Sequence, residues 1–121
     1  MKKIVILDAK TLGKVENIHI LSEFGSITSY ETTSPEDTLS RITDAEIVIT
    51  NKVIIDRQII SQAKSLKLIC ISATGMNNVD LNAAQEYGIS VKNAVGYSSN
   101  SVAQQTIAYI LKLYNPLFLS L

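Results

Sequence analysis

Three short segments carry side chains that could do chemistry. The first is Ser72-Ala73-Thr74-Gly75-Met76-Asn77-Asn78-Val79-Asp80, which lies between an apolar run and an acid-capped helical stretch. A glycine there lets the backbone approach a ligand closely or take a positive φ. The N–H groups of such a turn can hold an anion such as a carboxylate. Ordinary turn chemistry ahead of a capped helix explains the same residues, and spacing alone leaves both readings open. The second segment, Thr50-Asn51-Lys52-Val53, places a cation after another apolar run. A lysine there could pair with an anionic substrate, although a lone loop lysine is ordinarily solvated. The third, Asn93-Ala94-Val95-Gly96-Tyr97-Ser98-Ser99-Asn100-Ser101, is dense in hydroxyls and amides and leads into a helix. N-capping accounts for one or two of these polar residues and does not need them all.

Other chemistry is poorly supported. Cys70 lies inside an apolar strand pattern with nothing beside it to activate a thiolate, so it reads as a small core residue. His19 is the only histidine and belongs to an early helical stretch, where a surface position is expected. One His and one Cys cannot build a zinc site of the usual kinds, and no Ser-His-acid set can be assembled around His19. Neither G-x-G-x-x-G nor a Walker phosphate loop occurs.

The three segments must be held by regular elements. Lys3 to Asp8 is a β-branched apolar run that predicts a buried parallel strand. Val15, Ile18, Leu21 and Phe24 predict one face of a helix, with Gly25 as its C-terminal cap. Ser26 to Glu31 predicts a second strand. Ser34-Pro35-Glu36-Asp37 predicts a helix start, with Ser34 as cap and Pro35 in the first position, running to Ile42. Glu46 to Thr50 is the third strand, Asp56 to Ala63 the third helix, and Leu66 to Ser72 the fourth strand. Asp80 caps a helix that ends at Tyr87-Gly88, Ile89 to Val91 is a short fifth strand, and a last helix runs from about Ser99–Ser101 to Tyr114. Alternating strands and helices predict an α/β, doubly wound, parallel five-stranded sheet with right-handed crossovers. Ligands of such sheets bind at the carboxyl ends of strands, which is where all three segments fall.

Bulk properties agree with a single folded unit. The 121 residues are 46% hydrophobic and 18% charged, apolar enough for a core and too apolar for disorder. Eleven basic residues balance eleven acidic ones, so no charge footprint for nucleic acid or an anionic membrane is present. The apolar run Ile4–Leu7 is too short for a signal peptide or a membrane span. A cytoplasmic protein is expected, and the single cysteine favours a reducing compartment.

The stretch from Ala73 to Gln104 resembles a segment of the D-2-hydroxyacid dehydrogenases, most closely the glycerate dehydrogenase (hydroxypyruvate reductase) branch. Its matched blocks are T-G-M-N-N-V-D-L from Thr74, G-I-S-V-K-N from Gly88, and G-Y-S-S-N-S-V-A-Q from Gly96. The likeness covers the whole chain in element order and roughly residues 46–113 in residue detail. It implies a flavodoxin-like substrate-binding domain over residues 1–98, an interdomain helix over 99–114 and a truncated tail over 115–121. The family's Rossmann domain is missing, and its catalytic Arg, Glu and His are expected downstream of residue 121. The resemblance also implies that backbone amides at Thr74, Gly75 and Met76 hold a substrate carboxylate. It implies that Asn77, Asn51, Lys52 and Ser98 line the same cleft, and that Val102 approaches a nicotinamide.

The implied reaction is hydride transfer between NAD or NADP and a small 2-hydroxy or 2-oxo acid. The implied parent is a homodimer, and this chain alone is expected to be inactive and to bind no cofactor tightly. The last helix is expected to bare an apolar face. Two other readings compete. A co-repressor-like binding protein could reuse the scaffold. A phosphoacceptor signalling receiver also has five β-α units, with Asp8 and Lys92 near strand ends, but Asn51 stands where its phosphoacceptor Asp belongs.

Overall fold

The computed structural model describes residues 2–12, 18–73, 75–94 and 102–114. Five strands, β1 (Lys2–Ile6), β2 (Gly25–Ser29), β3 (Ile47–Thr50), β4 (Leu68–Ile71) and β5 (Ser90–Asn93), form one sheet in the order β2-β1-β3-β4-β5. Every pairing is parallel. The helices are α1 (Ala9–Leu12), α2 (Pro35–Ile42), α3 (Arg57–Gln62), α4 (Leu81–Glu86) and α5 (Val102–Tyr114). This is the doubly wound α/β arrangement that the alternating pattern predicts, with solved structures of the same fold among its likenesses below.

All residues of β3 and β4 are buried, because both faces of a parallel sheet are covered and neither can carry a polar row. One face holds Val5, Leu7, Val48, Ile69 and Ile71 against Ile42, Ile60, Ala83 and Ala84 of α2, α3 and α4. The other holds Ile4, Ile6, Ile47, Ile49, Leu68 and Cys70 against Leu21 and against Ala103 and Ile110 of α5.

Several local expectations are corrected. The stretch expected as a helix over Val15–Phe24 is a 3-10 helix over its described part, Ile18–Glu23. Its apolar residues recur every third position, which is the 3.0-residue period of a 3-10 helix and not the 3.6 of an α-helix. Gly25 does not cap it; Gly25 is buried and opens β2, where a Cβ would lie 2.2 Å from the Lys2 carbonyl oxygen. Only glycine permits that approach to β1. Ser34 occupies the N-cap position of α2, but its hydroxyl donates to Asp37 Oδ2 at 3.0 Å and makes no capping bond. Strand β5 begins one residue later than expected and runs to Asn93.

Other signals hold. Asp56 and Asp80 accept from Ile59 N and Ala83 N, both at 3.0 Å, as N-caps. Gly88 takes φ +73° after α4, the left-handed turn that glycine makes at no steric cost. His19 is exposed. The apolar side of α5 is turned onto the sheet: Val102, Ile107, Tyr109 and Leu113 pack against the second core. Within the described residues Tyr114 is the one large apolar side chain of α5 that is exposed, so the expected bare face is not found there. Its hydroxyl donates to Glu46 Oε2 at 2.8 Å and its ring lies under the Lys2 ammonium, at 4.4 Å. These contacts pin the end of α5 to the amino edge of the sheet.

Candidate functional site

The carboxyl edge of the sheet carries two turns side by side, one after β3 and one after β4. The register that pairs Thr50 with Ile71 sets them next to each other.

The β3 turn is organised by Asp8, which follows β1. Asp8 is 4% exposed. Its Oδ1 accepts from the Thr50 hydroxyl at 3.0 Å and from Asn51 N at 3.0 Å. Its Oδ2 accepts from Asn51 N at 3.1 Å and Lys52 N at 2.8 Å. Thr50 Oγ1 in turn accepts from Val53 N at 3.2 Å. Asp8 forms no ion pair among the described residues, so backbone and hydroxyl dipoles alone solvate its carboxylate. The backbone amides of Asn51 and Lys52 are thereby committed. Asn51 Nδ2 also reaches back to Thr11 O at 3.3 Å. Lys52 keeps its side chain exposed, with no ion pair among the described residues.

The β4 turn is differently filled. Ser72 N still donates across to Thr50 O at 2.9 Å. Beyond it, Gly75 and Asn77 are exposed, and Met76 packs partly against the first core. The N–H groups of Gly75, Met76 and Asn77 donate to no described residue. A Cβ on Gly75 would meet only Asn77 Oδ1, at 3.1 Å. The turn is anchored from its far end by Asn78, whose Nδ2 donates to Val53 O at 2.9 Å and whose carbonyl accepts from Ile55 N at 2.8 Å. Asp80 N donates to Ile55 O at 3.0 Å, and Ile55 and Val79 form a parallel bridge. On the other flank Asn93 Nδ2 donates to Ala73 O at 2.5 Å, and Tyr109 of α5 donates to Asn93 O at 2.6 Å.

The structure thus brings Asn51, Lys52, Gly75, Met76 and Asn77 to one edge. Val102 opens α5 at that edge, half-buried beside the second core. Thr74 and Ser98 lie outside the described residues. Asp8 and Asn78 are the residues that sequence reasoning passed over as parts of the site. Neither has a local signal, since their partners lie 42–44 and 25 residues away.

A separate groove of about 720 Å³ lies on the α2 side of Lys52. Pro35, Leu39, Ile54 and Ile59 make it mainly apolar, and Asp8 and Thr11 lie at its lining. The Gly75 turn does not line it, so the open amides and the large groove are distinct features that share only the Lys52–Val53 segment. Cys70, paired with Ile49 in the sheet, is buried, and burial pushes its thiol up to about 12. Thr106 opposes that shift slightly, although its own buried Oγ1 makes no hydrogen bond of acceptable geometry. Among the described residues no three His, Cys, Asp or Glu side chains gather into a metal site, and no helix is long and apolar enough to cross a membrane.

Comparison with known proteins gives this edge a family. The sequence profile of the D-isomer specific 2-hydroxyacid dehydrogenase catalytic domain matches residues 4–111. A Haemophilus influenzae protein assigned, without a named substrate, to the 2-hydroxyacid dehydrogenases is 50% identical over 95% of this chain and 36% of its own length. The hydroxypyruvate reductase of Blautia hydrogenotrophica is 37% identical over 92% of this chain and 36% of its own. The chain therefore spans 36% of the length of each of these relatives. The crystal structure of NAD+-bound 3-phosphoglycerate dehydrogenase from Entamoeba histolytica superposes with a TM-score of 0.68 and 30% identity, covering 92% of this chain and 38% of that one. An acyclic imino acid reductase bound to NADPH and D-Arg shares the fold, with a TM-score of 0.70 and 22% identity over 98% of this chain and 39% of that one. This chain belongs to the D-isomer specific 2-hydroxyacid dehydrogenase family.

Proposed function

We propose that this chain is the substrate-binding part of an NAD- or NADP-dependent oxidoreductase that interconverts a small 2-hydroxy acid and its 2-oxo acid, of the glycerate and hydroxypyruvate kind. The observation that carries this reading is the β4 turn, whose Gly75, Met76 and Asn77 amides point to no described acceptor while the neighbouring turn is saturated. A carboxylate is the natural occupant, because two or three convergent N–H groups solvate its charge as water does. Thr74, by family likeness, adds a further amide. Lys52 stands beside the turn as an exposed cation that draws an anion to this edge.

In the proposed division of the chain, residues 1–98 bind substrate and 99–114 form the helix leading to a second domain. Val102 opens that helix with a half-buried apolar side chain, which suits contact with the flat ring of a nicotinamide. The chain has no Gly-rich phosphate loop, so a cofactor's pyrophosphate would be held by other parts of the enzyme. The nicotinamide supplies or accepts the hydride at substrate C2. What the present residues do is fix the carboxylate and thereby the position of C2, since hydride transfer needs reacting atoms within roughly 3–3.5 Å. Polarisation of the oxo group and proton transfer fall to the family's Arg, Glu and His, expected beyond Leu121.

The test is turnover by the full-length protein. Oxidation of NADH or NADPH on addition of hydroxypyruvate or glyoxylate is expected. Absence of turnover with any 2-oxo acid and either cofactor, in a folded protein, overturns the reading and favours a non-enzymatic binding role.

A further inference from the structure

We propose that Asp8 is a positioning residue: its carboxylate fills the amide turn at the end of β3, so that an incoming carboxylate is left only the turn at the end of β4. This inference rests on the substrate-binding role of the β4 turn proposed above.

The argument starts from the likeness of the two turns. Each follows a buried parallel strand, each presents consecutive backbone N–H groups, and Ser72 N–Thr50 O joins them at the base. Without Asp8, the β3 turn would offer the Asn51 and Lys52 amides and the Thr50 hydroxyl, with the Lys52 cation attached to it. That is a complete carboxylate site, better charged than the one on β4. Neighbouring strands lie about 4.8 Å apart. A 2-oxo acid seated on the wrong turn would therefore carry its C2 atom a full strand spacing out of place, beyond the few tenths of an ångström that hydride transfer tolerates.

Asp8 removes the ambiguity in two ways. Both of its oxygens are bonded within the turn, and at 4% exposure water has almost no access to them. Its negative charge also repels a second carboxylate from the same place. The carboxylate is tethered rather than diffusible, so it holds the turn at any substrate concentration. The Thr50 hydroxyl extends the arrangement by passing one bond to Val53 N, and Val53 O is the group that Asn78 grips to anchor the β4 turn. Asp8 thus excludes the anion from one turn and braces the other.

The experiment uses the 121-residue chain labelled with 15N, with hydroxypyruvate and formate as probes. In the wild type, hydroxypyruvate is expected to move the Gly75–Asn77 amide signals and leave Asn51 and Lys52 in place. In Asp8→Gly, the Asn51 and Lys52 amide protons are expected to lose the downfield position given by a carboxylate acceptor. Formate should restore that position, and hydroxypyruvate should now move both turns. Failure of formate to restore it, or wild-type Asn51 and Lys52 signals that respond to hydroxypyruvate as strongly as Gly75, overturns the role of Asp8. If Asp8→Gly does not fold, Asp8→Asn decides. The amide that replaces one carboxylate oxygen faces an N–H, so one of the two backbone signals should move and the other stay. Both signals at wild-type positions overturn the proposal. A wild type in which hydroxypyruvate moves neither turn overturns the substrate reading instead, and the formate arm still reports whether Asp8 fills an anion site.

Discussion

The two turns at the carboxyl edge are built from the same backbone and do opposite things. After β3, the donors of Thr50, Asn51 and Lys52 converge on Asp8 and nothing is left over for a ligand. After β4, Gly75 and Asn77 stand exposed with their amides uncommitted among the described residues. The difference comes from what precedes each strand's neighbour in the sheet. β3 lies beside β1, which ends in an acid; β4 lies between β3 and β5. A turn is a structural device when the fold supplies its anion and a binding device when the fold does not. The stability of the molecule should therefore be concentrated at the first and ligand affinity at the second.

The strongest challenge to that division is Asp8→Ala. It strands two amides and a hydroxyl with only partial access to water, and should lower unfolding free energy by about 2–4 kcal/mol. Urea denaturation reads this as a lower midpoint at unchanged slope. A loss below about 0.5 kcal/mol, the usual scatter of surface substitutions, would mean water replaces the carboxylate freely and the β3 turn is no more structural than its neighbour.

Gly75→Val asks the converse question. The new side chain meets only the exposed end of Asn77, so stability should change by less than about 0.5 kcal/mol. Crowding the amides should weaken hydroxypyruvate about tenfold or more, roughly 1.4 kcal/mol of binding. Calorimetric titration or the KM of the full-length enzyme checks it. Unchanged affinity at unchanged stability would remove the β4 turn from the site.

Asn78→Ala probes the joint between the turns. Losing the bond to Val53 O should cost about 1 kcal/mol and also weaken ligand binding severalfold, because the open turn loses its anchor. A change in stability with no change in affinity would show that the two turns are mechanically independent.

These residues also mark what was legible in the sequence. The element order, the β3 and β4 cores and the Asp56, Asp80 and Gly88 caps were readable because each is local: an apolar run, an acid ahead of a helix, a glycine after one. The Val15–Phe24 stretch carried its own correction, in a spacing of three that favours a 3-10 helix. Gly25 was misread because its reason, the Lys2 carbonyl, belongs to another strand. Asp8 and Asn78 were invisible as site residues for the same cause: their meaning depends on β1, β3 and β4 lying side by side. The open Gly75 turn was legible only as a possibility, since the amides that distinguish it from the β3 turn look alike in sequence.

The smallest expected effect concerns how far the openness of the β4 turn reaches into its strand. Cys70 precedes the turn by a few residues and pairs with Ile49 of β3. If the opening is confined to the turn, a thiol reagent should not label Cys70 in the native protein at neutral pH, since the group is buried and burial pushes its pKa up to about 12. The same shift predicts a pH dependence. Below the ordinary value of 9.0 the thiol is protonated in both folded and unfolded chains and contributes no slope. Above it the unfolded thiol ionises while the folded one resists until about 12, so the unfolded state gains and stability falls as pH rises through that window. Lysines and tyrosines titrate there too, so the measured quantity is the difference between the wild type and Cys70→Ala. That difference should be flat up to about pH 9 and then fall by at most about 1.4 kcal/mol per pH unit. Rapid native labelling, or a flat difference at high pH, would place water at Cys70 and extend the open region from the turn into β4 itself.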